Sequence, residues 1–261
     1  MFGWSKQVLK RTPLLGARLA DLARHYRVRG LKARSAEEIF TDIYYKEYCR
    51  RGYESASGTG SDLAQTRQIV AALPLLFADH GVRSILDIPC GDFHWMRSVD
   101  LRGISYVGAD IVRDLVAQNQ QYATGDITFQ RMNLLEDPLP KVDLVFCRDC
   151  LVHFSVEDVF KALHNIAASG SRLLLTTTFP GRPRNAAIAT GEWQPLNLAE
   201  DPFRLPPPVT LIAEGCTEVD GQYADKSLGL WKVSELFRAQ RLERNDSGRS
   251  ARRDEAREHG R

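Results

Sequence analysis

From Ser84 onward the chain alternates between short apolar runs and amphipathic stretches. Runs at residues 84–88 (SILDI), 105–109 (SYVGA), 127–132 (ITFQRM), 142–147 (VDLVFC) and 171–179 (SRLLLTTTF) have the length and β-branched content of strands. Between them, residues 111–121 and 156–168 repeat apolar positions at helical spacing, and a turn and helix are expected after the first run. Five such strand–helix alternations predict right-handed crossovers and a parallel sheet covered on both faces. Two further runs, 209–215 (VTLIAEG) and 227–233 (SLGLWKV), flank the turn-like EVDGQYADK and predict a C-terminal antiparallel hairpin. The expectation is a seven-stranded, mostly parallel α/β sheet.

Upstream, Leu15, Leu19, Leu22 and Tyr26 recur at helical spacing, and Ile39, Phe40, Ile43, Tyr44 and Tyr48 mark a second amphipathic helix. A glycine-serine loop, SASGTGS, leads to Asp62, which is placed to cap a helix running to about Phe77, with Gln65 as the returning partner of a capping box. This organisation predicts a basic helical extension over 1–54, one α/β domain over 55–237 and a disordered charged tail over 238–261.

Composition refines the picture in two places. The net charge of +2 hides a basic N-terminus, where residues 1–34 carry nine Lys/Arg against the single acid Asp21. That segment is expected to contact a membrane surface or a protein partner, or to pack as an accessory helix. The five cysteines are odd in number and lie mostly beside apolar runs, which suits reduced packed thiols. Cys147 and Cys150 form a C-x-x-C without a second ligand pair, so no metal is expected. No apolar run approaches the roughly eighteen residues of a membrane span, and the first residues lack a secretion-signal core, so a cytoplasmic setting is expected.

In an open parallel sheet, ligands bind beyond the carboxyl ends of the strands. Here those ends carry Asp87-Ile88-Pro89-Cys90-Gly91-Asp92, then Asp110, then Asn133, then Arg148-Asp149. A dinucleotide site needs three glycines around a pyrophosphate. This chain offers Gly91 between two carboxylates, which favours a cationic ligand carrying an ammonium group and a ribose.

LDIPCGD, then YVGADI, then MNLLEDPLPKVDLVFCRDCLVHF resemble the successive motifs of class I S-adenosylmethionine-dependent methyltransferases. The resemblance covers roughly residues 55–233 and implies a Rossmann-like fold and S-adenosylmethionine as cofactor. It further implies that Asp87 and Gly91 hold the methionine part, Asp110 the ribose, and Asn133 with Leu134 the adenine. Pro89, which replaces the usual first glycine, completes the contacts with Asp92, Ile111 and Arg148. Methyl transfer to a hydroxyl needs a nearby base. His153 is the first candidate, with Asp149 to orient it or bind substrate. His94 and Trp95 after the first strand, with Arg184, Trp193 and Asn197 from the polar insertion 182–208, are the expected acceptor contacts, and Arg67 is expected at the cofactor carboxylate. A Trp among acids and amides suits a sugar, a glycan precursor or another small polar metabolite, acted on by O-methylation. The chain has CRDC where base-amine methyltransferases carry an N/D-P-P-Y-like turn, so nucleic acid is disfavoured as a partner. An RNA methyltransferase and a non-catalytic interaction module are the alternatives.

Overall fold

A computed structural model describes residues 26–48 and 54–237. The expected amphipathic pattern over Leu15–Leu22, Cys49 and the expected tail over 238–261 lie outside the described residues. Seven strands form one sheet in the order β3-β2-β1-β4-β5-β7-β6. They are β1 (Ser84–Asp87), β2 (Ser105–Asp110), β3 (Ile127–Arg131), β4 (Leu144–Cys147), β5 (Leu173–Thr178), β6 (Thr210–Ala213) and β7 (Ser227–Lys232). β1 to β5 pair in parallel, whereas β7 runs antiparallel between β5 and β6. The helices that flank the sheet and the site include α1 (Ala36–Ile43), α2 (Leu63–Asp79), α3 (Arg113–Asn119) and α4 (Val156–Ala168).

The register explains why the central runs contain so few polar residues. Ile85, Leu144 and Leu173 stand side by side and enter the core under α2, while Leu86, Val145 and Leu174, one residue along, enter the core under α4. Both faces of β1, β4 and β5 are therefore covered, and alternation gives way to continuous hydrophobicity. Ile69, Leu73, Leu76 and Phe77 of α2 close one side; Val159, Leu163 and Ile166 of α4 close the other. Each such fully buried side chain contributes roughly 1.5–3 kcal/mol of transfer free energy.

Two local expectations fail. No α-helix follows β1: residues 88–104 hold only a short turn at Met96–Ser98, because Gly91 and Phe93 take left-handed backbone angles that a right-handed helix cannot include. The capping box at Asp62 is absent as well. Asp62 is the N-cap residue of α2 but makes no side-chain cap bond, and Gln65 instead exchanges hydrogen bonds with Thr217. The capping box that does form is Ser35 with Glu38 at the start of α1.

Strand order reverses between β1 and β4, since both crossovers from β1 go outward to β2 and β3 before the chain returns. That reversal opens a crevice at the carboxyl ends of β1, β2 and β4.

Candidate functional site

A cavity of about 1160 Å³, counting its open mouth, occupies this crevice. Its floor is the run after β1. Gly91 has φ +56, and a Cβ there would lie 2.1 Å from the Ser57 hydroxyl, so only glycine fits. Beside it Phe93 also takes a positive φ of 57, held by its packing on Tyr106 and Phe129 at ring distances of 5.3 and 5.0 Å.

Three acids meet here, each with its own surroundings. Asp87 ends β1 and is 3% exposed, and its Oδ2 accepts the Tyr106 hydroxyl at 2.5 Å. Burial pushes its carboxyl up to about 8, against the opposing pull of the Tyr106 bond. Asp110 ends the neighbouring β2 and accepts the backbone N–H of Gly91 at 3.1 Å and of Val112 at 2.9 Å. Burial raises it to about 6 although those amides favour its charge. Asp92 is held differently. It accepts the Ser55 hydroxyl at 3.0 Å, the Ala56 N–H at 2.7 Å and the Ser57 hydroxyl at 3.2 Å, and its own N–H donates to Ser57 at 2.9 Å. The serine-rich loop thus folds over the glycine turn through Asp92, whose carboxylate is committed to that loop.

At the end of β4, Asp149 adopts φ 52, a left-handed conformation that Asp tolerates. It accepts Lys226 at 2.6 Å and lies 3.3 Å from Arg148. Burial alone would raise its carboxyl; Arg148 and Lys226 outweigh it and hold the group at about 2. Arg148 spans from Glu214, at 2.6 Å, to the Gly60 carbonyl, at 2.8 Å, and lies over Trp95. These four charges form a buried, balanced network beside the cavity. His153 closes the short turn Leu151–His153, and its Nδ1 lies 3.1 Å from the Glu192 carbonyl oxygen. Because that oxygen only accepts, the neutral ring carries its hydrogen on Nδ1 and presents Nε2 as the basic nitrogen.

Asp87, Pro89, Gly91, Asp92, Asp110 and Ile111 all line the one cavity, and so do Asn133, Leu134, Trp95, Arg148, Asp149 and His153. Four expected acceptor residues and Arg67 do not. His94 turns to Glu54 at 3.0 Å, and Arg184 and Arg67 lie exposed. Asn197 is 4% exposed and spends its side chain on the loop itself, donating to the Arg182 carbonyl at 2.8 Å and accepting from Ala199 N–H at 3.0 Å. Trp193 packs edge-on against Phe179 and Tyr223 and lines a separate groove with Arg27 and Arg34. The polarity of this insertion satisfies its own backbone. Asp149, proposed from sequence to orient His153, is held by Lys226 and Arg148, and the Glu192 carbonyl fixes Nδ1 instead.

Sequence reasoning missed the contribution of α1. Ala36, Phe40, Ile43 and Tyr44 line the cavity. Glu37 ties this helix down by bridging Arg113 at 2.8 Å and Arg131 at 2.6 Å, while Tyr45 bonds to Asp114. The apolar face of α1 was visible in the pattern, but its destination was not. Glu214 and Lys226 were also missed; the available signal was an isolated charge directly after the β6 run and another directly before the buried β7 run.

Comparison with known proteins gives the decisive observation. A family described as "Methyltransferase domain" matches residues 85–169, the segment that holds β1 to β4 and all three acids. Over residues 85–169 the chain is similar to a methyltransferase domain. That family uses S-adenosylmethionine as methyl donor. Human N-acetylserotonin methyltransferase in complex with S-adenosylmethionine is similar over 77% of this chain and 60% of that one, at 18% identity and TM-score 0.52. Mitomycin 7-O-methyltransferase is similar over 74% of this chain and 60% of that one, at 16% identity and TM-score 0.52. Both likenesses establish the class I methyltransferase fold, and the chain spans less than two thirds of either structure. No curated protein matches the sequence. The residues present fit the cofactor: a glycine cradle closed to any Cβ, and two buried carboxyls whose charge a bound cation would stabilise.

Proposed function

We propose that this chain is an S-adenosylmethionine-dependent O-methyltransferase that acts on a small hydroxylated acceptor, with His153 as general base. The observation that carries this reading is the convergence of Asp87, Asp110 and His153 on one cavity of the methyltransferase domain. Asp87 is placed to pair with an ammonium group, and Asp110 to accept from vicinal hydroxyls while it also fixes the Gly91 turn. Asn133 and Leu134 border the end where a base would stack. Bound there, S-adenosylmethionine supplies a methyl group already activated as a sulfonium. Nε2 of His153 receives the acceptor hydroxyl proton, because Nδ1 is occupied by the Glu192 carbonyl.

Asp149 serves as a fixed negative charge. Two cations hold it ionised, which disqualifies it as a proton acceptor near neutrality and favours the imidazolium that forms on His153. The residues that suggested a sugar acceptor from sequence, Trp193, Arg184 and Asn197, stand outside the cavity, so the acceptor class is drawn from the cavity wall itself. A small molecule is favoured over nucleic acid because α1 brings no cation to the cavity. Among the described residues no helix is long and apolar enough to cross a membrane, and Cys90, Cys147, Cys150 and Cys216 are free and buried, which supports a reducing, cytoplasmic setting.

The test combines calorimetric titration of S-adenosylmethionine with release of S-adenosylhomocysteine over a panel of hydroxylated small molecules. His153→Ala is expected to leave cofactor affinity unchanged and to lower turnover about 10²–10⁴-fold. A folded chain that does not bind the cofactor, or a His153→Ala variant with full turnover, would overturn the reading.

A further inference from the structure

We infer that the acceptor is a flat, largely apolar molecule presenting a single hydroxyl, of the hydroxy-aromatic class, and that Phe40 on α1 sets this preference. The inference rests on the reading of the cavity given above and adds to it the chemistry of the wall that faces the base.

Three side chains of α1, Ala36, Phe40 and Ile43, reach the cavity together with Tyr44 just after it, and none is charged. The Phe40 ring stands edge-on to the His153 imidazole, with centroids 6.4 Å apart and planes at 83°, and packs on Phe154 at 5.8 Å. Tyr44 is 4% exposed, and its hydroxyl meets the Gln118 side-chain amide at 3.1 Å, so it turns an aromatic face rather than a hydroxyl to the cavity. An aromatic lining of this kind borders His153 on the side that the N-terminal segment covers.

The charged groups nearby are already engaged. Asp149 is held by Lys226 and Arg148, Arg148 by Glu214 and the Gly60 carbonyl, and Asp92 by Ser55, Ala56 and Ser57. A sugar entering here would bury several hydroxyls with few partners, and each buried polar group left unpaired lowers affinity roughly five- to a hundredfold. A planar aromatic molecule leaves no such debt, meets Phe40 and Phe154 in the tilted geometry that rings prefer, and exposes its one hydroxyl to His153. The wall therefore discriminates by what it fails to offer a polyol as much as by what it offers a ring.

Fluorescence titration of the full chain with 4-methylumbelliferone, at saturating S-adenosylhomocysteine, tests the inference without turnover. Expected are saturable binding, displacement by 4-nitrophenol and 4-ethylphenol, and no displacement by methyl α-glucoside. Phe40→Ala should weaken binding about tenfold. Ile43→Trp, which fills the cavity instead of emptying it, should abolish binding while circular dichroism stays unchanged. Absence of binding by all three hydroxy-aromatics, equal displacement by the glucoside, or undiminished binding in both variants would overturn the acceptor class. Calorimetry of S-adenosylmethionine on the same sample separates the two readings: if the cofactor fails to bind, the enzymatic reading itself falls, whereas cofactor binding without aromatic binding removes only the acceptor class.

Discussion

Asp87 makes a quantitative demand on cofactor binding. Its carboxyl is carried from the ordinary 3.8 to about 8 by burial. At about 1.4 kcal/mol per pH unit, ionising it in the ligand-free protein costs about 6 kcal/mol more than in water. At pH 7 the group is then about nine-tenths protonated. Pairing with a cationic ammonium requires it to ionise, so binding should release close to one proton at pH 7. Between pH 6.5 and 7.5 affinity should rise with pH by somewhat less than tenfold per unit, then level off near 8, where the ligand's own α-amino group loses charge at about 7.7–8.0. Calorimetric titration in phosphate and in Tris reads the proton directly, because the buffers differ in ionisation heat. Asp87→Asn should bind weakly, lose the proton release at pH 7 and lose the rise of affinity between pH 6.5 and 7.5. The folded-state value lies above the unfolded one, so the stability that wild-type Asp87 contributes is complete below about pH 4 and is lost as pH rises through 8. The Asn variant has nothing to lose over that window, and Tyr106 still finds an amide oxygen. It should therefore melt higher than wild type at pH 8, by a few kcal/mol of stability at most. Equal heats in the two buffers, or an Asn variant whose affinity still rises several-fold between pH 6.5 and 7.5, would refute the reasoning.

Two further outcomes follow from the same geometry. Lys226→Met leaves Asp149 and Glu214 to share Arg148 and should destabilise the fold by about 3–5 kcal/mol in denaturant melts. Because Asp149 is depressed to about 2, its stabilising contribution is present above about pH 4 and lost as pH falls towards 2, so acid unfolding of the variant should lose that component. Gly91→Ala places a Cβ 2.1 Å from the Ser57 hydroxyl at φ +56, and should displace the 55–57 loop, cost about 1–3 kcal/mol and weaken S-adenosylmethionine binding at least tenfold by calorimetry.

The legible part of this molecule is the part written in local pattern. The seven strands and the acids at their ends follow from apolar runs broken by Asp87, Asp110, Asn133 and Asp149, because a buried strand admits no charge until it reaches the crevice. What stayed hidden depends on partners distant in the chain. Arg148 meets Glu214 across 66 residues, and nothing near either announces the other. The polar insertion misled for the opposite reason. Asn197 looks like a ligand contact, yet it bonds to the Arg182 carbonyl, and with Asn185, which bonds to the carbonyls of Asn197 and Asp201, it substitutes for regular secondary structure. The chemistry of a side chain was readable, but the direction in which it pointed was set by the turn that carried it.

The ion network draws a boundary that the family likeness does not. The matched segment stops at residue 169, ahead of β5, whereas the counter-charges for Arg148 and Asp149 arrive on Glu214 and Lys226 at the two ends of the β6–β7 connection. A fragment cut to the matched segment would leave the buried Arg148 guanidinium without Glu214 and the Asp149 carboxylate without Lys226. Any attempt to transplant this catalytic scaffold, or to recombine it with a relative, must carry the last two strands along as a single inheritance.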